Sequence, residues 1–256
     1  MDMIINSPTR LDIPALRAIW REAFGDGDAF LDGFFTTAYA PDRARVARLD
    51  GDIAGALYWF DCECDNKKIA YLYAVATAKS QRGKGVCTAL MSDTHAHLKS
   101  LGYIGAILVP GETSLFDFYK RLNYEIFSGV NEIATTASAH PCRLVKINAS
   151  RYGQLRRKYL PHGAVIQEGA SLDFLATLAD FFEGEDFILA ARKEGDTLVG
   201  LELLGNASPE NAAAITRALG ADKGRFRTPG TKKPFAMCLP LSESFTLPTH
   251  FGLAFD

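Results

Sequence analysis

The sequence predicts an α+β (α/β) fold in which strands and helices alternate along the first half of the chain. Residues 71–76 form a short aromatic and β-branched run that is typical of a buried strand. Apolar side chains then recur at helical spacing over residues 86–101. Residues 104–109 form a second apolar strand, and a second helix is predicted over residues 114–122. A strand–turn–helix–strand–helix unit is therefore the centre of the predicted fold.

The composition fits one large domain or two modest ones and excludes several classes of protein. The chain has 256 residues, 48% of them hydrophobic, and its net charge of −2 argues against a nucleic-acid-binding surface. No run approaches the ~18 apolar residues that a membrane span needs, and the first residues lack the layout of a signal peptide. The five scattered cysteines complete no zinc site and predict reduced thiols in a cytoplasmic protein.

Two helices and a hairpin precede this unit. The helix predicted over residues 29–39 follows a helix that begins after Asp12, and a hairpin is predicted over residues 45–60. The second of these helices carries four aromatic residues, Phe30, Phe34, Phe35 and Tyr39. The favoured interpretation is that they fill the core, and the alternative is that some of them line a ligand pocket.

The turn between the strand at 71–76 and its helix predicts an anion site. Gly83 and Gly85 carry no side chain, so that backbone N–H groups can approach a ligand closely. The helix that follows directs its free N–H groups and positive dipole end at the same place, and Arg82 and Lys84 add positive charge. The spacing matches neither a nucleoside-triphosphate loop nor a dinucleotide fold. A glycine-rich turn without a ligand stays open as the alternative.

The segment Arg82-Gly83-Lys84-Gly85-Val86-Cys87 resembles the R-x-x-G-x-[G/A] signature of the GNAT superfamily of acyl-CoA-dependent N-acyltransferases. Residues 118–124 resemble the later F-Y-x-x-x-G-F element of that family. Cys87 and Asn123 depart from the pattern, but both are compatible with the same backbone path. The resemblance implies a mixed central sheet flanked by helices, acetyl-CoA as cosubstrate, no metal, and direct transfer of an acetyl group to a primary amine.

The resemblance also implies roles for individual residues. The turn would grip the pyrophosphate, and backbone N–H groups of residues 74–76 would bond the pantetheine arm and the thioester oxygen. The residues implied in acetyl-CoA binding are Ala74, Val75, Ala76, Arg82, Gly83, Lys84, Gly85, Val86, Cys87 and Thr88. Tyr119 matches the family's general acid for the leaving thiolate, and its alternative role is packing beside Phe116 and Phe118.

The general base is not identified by the sequence. Many relatives have a Glu near the strand that precedes the turn, but residues 71–76 contain no carboxylate. The remaining candidates are Asp61, Glu63, Glu125, His140 and a water relayed to a backbone carbonyl. A nucleophilic role for Cys87 is disfavoured, because a small side chain beneath a phosphate needs no chemistry of its own.

We predict two domains, a first over residues 1–147 and a smaller α+β domain over residues 148–256. The second is predicted to contain a helix at 172–182, a hairpin around residues 191–200 and a helix at 209–219. This order repeats that of the first domain, so that the second half is interpreted as a degenerate GNAT-like copy without a phosphate loop. The arrangement resembles the enhanced-intracellular-survival branch of the superfamily.

The end of the chain has two interpretations. Residues 249–256 are mostly apolar, whereas frayed termini are usually polar. A last strand over residues 250–255 that completes the second domain's sheet is favoured. The alternative is a tail docked on the first domain, with Asp256 or the terminal carboxylate near the acceptor groove, because in the enhanced-intracellular-survival relatives the terminus serves the active site.

Two functions remain open from the sequence. The first is a cytoplasmic N-acetyltransferase that transfers acetyl from acetyl-CoA to an amine of a small molecule or a protein. The second is a non-catalytic acyl-CoA-binding module whose second domain senses the bound state. Neither nucleic acid nor a membrane is expected as a partner, and a homodimer is left open.

Overall fold

A computed structural model describes residues 2–255, which form seven α-helices and a 13-stranded sheet. The helices are α1 Ile13–Phe24, α2 Asp28–Thr37, α3 Val86–Ser100, α4 Thr113–Lys120, α5 Ala149–Tyr159, α6 Ala170–Leu175 and α7 Pro209–Ala218. The strands are β1 Met3–Asn6, β2 Ala44–Leu49, β3 Asp52–Cys64, β4 Lys67–Thr77, β5 Gly105–Leu108, β6 Glu125–Thr136, β7 Leu144–Ile147, β8 Ile166–Gln167, β9 Asp180–Gly184, β10 Phe187–Glu194, β11 Thr197–Gly205, β12 Lys223–Gly230 and β13 Lys233–Pro240.

The sheet is mixed and runs through both halves of the chain. Its strand order is β1-β2-β3-β4-β5-β13-β6-β12-β11-β10-β9-β7, and β8 pairs with β3 outside this path. The pairs β4–β5 and β11–β12 are parallel, whereas the other pairs are antiparallel. Strand β13 lies between β5 and β6, so the second half supplies a strand to the sheet of the first. The division at residue 147 stays a prediction, and β13 crosses it.

Helices cover the sheet on both faces, which confirms the predicted fold class. Leu16 of α1, Leu31 of α2 and Leu172 of α6 are buried in one apolar cluster. A second cluster contains Leu90 of α3 and Tyr119 of α4, and a third contains Ile215 of α7. None of the helices within residues 2–255 is long and apolar enough to cross a membrane.

The predicted elements of the first half are present with boundaries shifted by a few residues. Helix α1 ends at Gly25, which adopts a left-handed φ of 79°, as expected for a residue that follows a helix. Asn123 after α4 also has a left-handed φ, of 64°, which accounts for an asparagine where the family pattern has glycine. Asp12 precedes α1 as predicted, but its carboxylate accepts a hydrogen bond from the Thr9 backbone N–H (2.7 Å) and does not cap α1.

Two predictions for the region after residue 124 are wrong. The helix predicted over residues 172–182 is the short helix α6 followed by strand β9, in which Phe181 and Phe182 pair with β10. An apolar run with two aromatic residues fits a strand as well as a helix, and pairing with a neighbouring strand decides between them. The sequence also predicts residues 143–147 as one of the strands that close the first domain. They form β7, which pairs instead with β9 at the far edge of the sheet.

The final residues form no strand, so the favoured interpretation of the tail as a strand is wrong. Residues 250–255 are irregular and pack on the first half, where Phe255 is 4% exposed. The Tyr73 hydroxyl donates to the Phe255 carbonyl oxygen (3.3 Å), and the Gln167 amide nitrogen donates to that of Leu253 (3.1 Å). Docking of the tail is therefore confirmed as far as Phe255, and the placement predicted for Asp256 lies outside the described residues.

The second half repeats part of the first. The order β10–β11–α7–β12 matches β3–β4–α3–β5, and in both units the strand before the helix pairs in parallel with the strand after it. In each unit the strand that precedes the helix also carries a bulge, at residues 74–75 in β4 and at Leu201 in β11. The second unit therefore has the architecture of the first on a reduced scale.

Candidate active site

The central cavity opens where two parallel strands separate. Strands β4 and β5 pair over only three positions, of which the last joins Tyr71 to Ile107. Beyond that pair the strands diverge, and residues 72–75 and 108–110 line a cavity of about 1010 Å³. A parallel pair that separates in mid-strand leaves backbone N–H and C=O groups available to a ligand.

A bulge re-aims the backbone of β4 at this opening. Tyr58 pairs with Tyr73 and Ala56 with Ala76, so that Leu57 faces both Ala74 and Val75. Ala74 adopts a left-handed φ of 49°. This backbone conformation costs a residue other than glycine about 1–3 kcal/mol. Strain of this kind is often kept where function requires it. Ala74 and Val75 line the cavity, whereas Ala76 is buried at 5% exposure and does not.

The glycine-rich turn presents a free helix N-terminus. Gly83 and Gly85 have left-handed φ values of 76° and 78°, and α3 begins directly after Gly85. The first backbone N–H with an acceptor inside the helix is that of Ala89, which bonds Gly85, and no side chain caps the helix. The amides of residues 86–88 therefore remain available to an anion, and residues 82–85 are exposed.

Arg82 and Lys84 keep their charges beside these amides. The Arg82 Nε donates to the Thr77 carbonyl oxygen (3.2 Å), and the Lys84 ammonium donates to the Gln81 side-chain oxygen (2.9 Å). Neither partner is a carboxylate, so the positive charge of the turn is not neutralised by these contacts. The residues present thus fit a pyrophosphate group, although the turn itself does not line the cavity.

Replacing Gly85 with Val is expected to weaken CoA binding at least ~10-fold, because a β-branched residue strains the left-handed backbone and shifts the amides that follow. Space is not the cause, since a Cβ at Gly85 meets no atom within 4 Å. Gly102, just beyond the other end of α3, is a matched control with φ +81° and equally open space. Calorimetry with CoA should show a loss for Gly85→Val and none for Gly102→Val; equal affinities for the two variants would contradict the anion site.

Tyr119 contributes to the cavity from helix α4, which follows strand β5. It lies in the last turn of α4, lines the cavity and is 7% exposed. Burial raises the pKa of its hydroxyl, so that the group keeps its proton at neutral pH. Within residues 2–255 its hydroxyl has no hydrogen-bond partner, whereas its ring packs edge-on against Phe118 and Tyr124. Tyr119 therefore packs through its ring and also has a hydroxyl that is free to donate.

Cys87 and His95 lie on α3 and are partly buried on this side of the sheet. Burial raises the pKa of the Cys87 thiol to about 11, so that it is protonated and a poor nucleophile at neutral pH. Burial also lowers the pKa of His95 to about 4, and its Nε2 is 2.7 Å from the Tyr124 hydroxyl. Neither residue lines the cavity.

The base candidates named from the sequence do not reach the cavity. Asp61, Glu63, Glu125 and His140 are absent from its lining. Burial alone would raise the pKa of Asp61, but hydrogen bonds from Arg43 and Tyr103 lower it below its usual value. The Asp61 carboxylate is therefore ionised and paired with Arg43. A base role for these four side chains in the cavity is therefore wrong, and the relayed water stays a prediction.

The second half closes the cavity with residues that the sequence did not single out. They come from β10, β12, β13 and the tail, and they include Arg192, Arg227, Lys233, Phe235, Ala254 and Phe255. No local motif marks them, because they reach the cavity only through the position of β13 and the docked tail. The apolar character of the last residues was the one signal that could have found part of this wall.

The aromatic residues of α2 divide between the two roles considered. Phe34 is 1% exposed and fills the core, whereas Phe30 lines the cavity. Phe35 and Tyr39 are partly buried and do not line it. Phe34 therefore fills the core as favoured, and Phe30 lies where the alternative requires, whereas a ligand contact for Phe30 stays a prediction.

The corresponding helix of the second half is not open to an anion. The Ser208 hydroxyl accepts the Asn211 backbone N–H (3.1 Å), and Pro209 at the first turn has no N–H. The connection from β11 to α7 also lacks Arg and Lys. Within residues 2–255 no group of His, Cys, Asp or Glu side chains could hold a metal ion.

Comparison with known proteins gives a family and a fold. Residues 5–127 match the family described as acetyltransferase (GNAT) domain. No curated protein matches the chain by sequence. The structure of a probable N-acyltransferase from Enterococcus faecalis V583 is similar with a TM-score of 0.71 and 14% identity, over 94% of this chain and 73% of that one.

Two further solved structures are similar over the same extent. A GCN5-related N-acetyltransferase from Anabaena variabilis ATCC 29413 has a TM-score of 0.69 and 16% identity, covering 94% of this chain and 73% of its own. Eis1 from Mycobacterium abscessus has a TM-score of 0.67 and 12% identity, covering 94% of this chain and 74% of its own. At these identities the similarity establishes the shared fold of both halves.

Proposed function

We propose, from the match of residues 5–127 to the acetyltransferase (GNAT) domain family, that the chain is an N-acetyltransferase acting on a primary amine. The observation that carries this proposal is that Ala74, Val75 and Tyr119 line one cavity. Strand β4 continues from that cavity to Thr77, whose carbonyl oxygen accepts a hydrogen bond from Arg82 of the anion-binding turn. A donor for an oxyanion, a proton donor and an anion site thus lie along one strand and its neighbours.

Acetyl-CoA supplies the acetyl group as a thioester, whose carbonyl carbon bonds to the amine nitrogen as the carbon–sulfur bond breaks. The amides at the start of α3, with Arg82 and Lys84, hold the pyrophosphate. Backbone N–H groups at the bulge of residues 74–75 stabilise the negative charge that develops on the carbonyl oxygen. The amine reacts as the neutral base, and the proton that its nitrogen loses as the amide forms passes to a relayed water. The Tyr119 hydroxyl gives its proton to the leaving sulfur and regains one from water, and its raised pKa means that it carries this proton at neutral pH.

Apolar side chains from both halves form part of the cavity wall and shield that part from solvent. Trp20 and Phe255, both almost fully buried, line it on one side, and Phe235 lines it from β13. Exclusion of water strengthens the hydrogen bonds to the developing charge and prevents hydrolysis of the thioester. Residues of the second half form part of this wall, and we propose that closing the cavity around the reacting groups is the function of the second half.

Release of free thiol from acetyl-CoA in the presence of a panel of primary amines tests the proposal. We expect release that depends on both the amine and the protein, with the acetylated amine detected by mass spectrometry. Calorimetry with CoA alone serves as the second measurement. CoA binding without amine-dependent release from any amine would contradict the enzyme and favour a binding module. The cytoplasmic location and a homodimer stay predictions from the sequence.

A further inference from the structure

The cavity contains a continuous row of aromatic rings beside the bulge. Trp20 lies between Phe30 and Tyr73, with ring centroids 6.1 Å and 5.6 Å away. Tyr73 in turn contacts Phe255 at 5.4 Å, and Phe255 contacts Tyr71 at 5.7 Å. All five rings line the cavity, and we call them the aromatic row. Tyr73 directly precedes Ala74, so that the row leads to the place where the thioester is proposed to lie.

Charges in the cavity lining are balanced. Four carboxylates and four cationic side chains among residues 2–255 line it. Asp117 is paired with Lys120 (2.9 Å), and Glu132 is paired with Lys233 (3.1 Å). Asp26 accepts the Trp20 indole N–H (2.8 Å), which also fixes the orientation of a ring of the aromatic row. A cavity with this balance has no excess of negative charge to concentrate a polycation.

Aromatic rings recognise a particular kind of amine. An aromatic body packs against them in edge-to-face or offset-stacked contacts, and a single ammonium is stabilised by their faces. A molecule with several ammonium groups would bring part of its charge into contact with apolar walls, which costs desolvation energy. Of the four carboxylates in the described lining, only Asp26 and Glu112 lack a cationic partner, so the lining offsets this cost only in part.

On the basis of the acetyltransferase function proposed above, we propose that the acceptor is a monoamine carried on an aromatic body, which packs on the aromatic row with its nitrogen towards Ala74. Polycationic amines such as polyamines and aminoglycosides are then poor acceptors. The aromatic row is the specificity-determining surface, and the anion-binding turn takes no part in this choice.

The first experiment compares 2-phenylethylamine with spermidine and kanamycin, using CoA-saturated protein for calorimetry and acetyl-CoA for turnover. We expect 2-phenylethylamine to bind, and its kcat/KM to exceed those of the polycations at least ~10-fold. Equal values, a preference for a polycation, or no detectable binding of 2-phenylethylamine would overturn the inference. Binding of 2-phenylethylamine without acetyl transfer would contradict the proposed function and support the aromatic site, so that the two failures are distinguishable.

The second experiment replaces one ring of the aromatic row with a branched aliphatic side chain, and the same substitution in a control residue accounts for the lost volume. Phe30→Leu should raise KM for 2-phenylethylamine roughly 3- to 10-fold, because an aromatic contact contributes that much beyond the apolar area. Phe35→Leu is the matched control: it lies on the same helix, is also partly buried, and contacts Trp20 at 6.3 Å without lining the cavity.

The KM for acetyl-CoA serves as a check that the fold and the cosubstrate site are intact in both variants. A rise in the amine KM confined to Phe30→Leu supports the aromatic row. The same KM for the amine in both variants, with both proteins folded by circular dichroism, would overturn it.

Discussion

Replacing Tyr119 with Phe is expected to lower kcat by ~10²-fold or more while leaving the affinity for acetyl-CoA nearly unchanged. The ring and its contacts with Phe118 and Tyr124 are kept, so that only the hydroxyl is lost. Without that proton the leaving thiolate departs unprotonated, which raises the barrier of the transfer step alone. Steady-state kinetics with acetyl-CoA and a saturating amine, together with calorimetry of CoA binding, provide the measurement.

Tyr124→Phe is the matched control for this result. Tyr124 lies beside Tyr119 and is 1% exposed, but its hydroxyl is bound to His95 and it does not line the cavity. We expect its loss to lower stability by about 1–3 kcal/mol, because the His95 nitrogen is left without its partner, with kcat close to that of the unchanged protein. An equal fall in kcat for both variants, or a parallel loss of acetyl-CoA affinity in Tyr119→Phe, would mean that Tyr119 packs and does not act as the acid.

Replacing Glu202 with Leu is expected to lower the free energy of unfolding by about 3–5 kcal/mol. The Arg156 guanidinium binds the Glu202 carboxylate through Nε (2.7 Å) and a terminal nitrogen (2.9 Å), and both side chains are almost completely buried. Burial alone raises the pKa of Glu202, but the charge and hydrogen bonds of Arg156 hold it below its usual value. The variant leaves a buried cation without its partner and the Tyr152 hydroxyl without its acceptor.

Urea denaturation measures this loss, and two further variants define its cause. Glu183→Leu breaks the exposed pair with Arg151 and should cost less than about 1 kcal/mol. The double variant Arg156→Met/Glu202→Leu removes both buried charges and should recover most of the stability. A double variant as unstable as Glu202→Leu alone would show that lost packing, and not an unpaired charge, accounts for the effect.

The sequence predicted the first half of the fold well because its signals are local. The glycine pair at 83 and 85, the helical spacing of α3 and the strong turn of the first hairpin each act over a few residues. The same holds for Ser208, which caps α7 as its position before Pro209 suggests. Elements of this kind are set by propensities and caps that a single sequence displays.

The remaining parts depend on pairing between distant residues. The sequence predicts a helix where β9 lies, because only contact with β10 distinguishes the two. It favours a strand for the tail, because the apolar residues there do not reveal what they pack against. The cavity wall from Arg192 to Phe255 has no motif for the same reason. The bulge at Ala74 could not be predicted from the sequence either, because alanine does not indicate a left-handed conformation as glycine or asparagine does.

The position of β13 sets an order of events on the ribosome. Ala106 of β5 pairs with Leu239, so β5 leaves the exit tunnel long before its neighbour in the sheet has been translated. Until then the nascent chain carries β5 and β6 with the gap between them unfilled, and unpaired strand edges are prone to association with other chains. Long-range pairing of this kind also slows folding. We therefore expect the proposed catalytic half to mature only after residues 233–240 have left the tunnel, and to depend on chaperones more than a domain whose sheet closes within its own sequence.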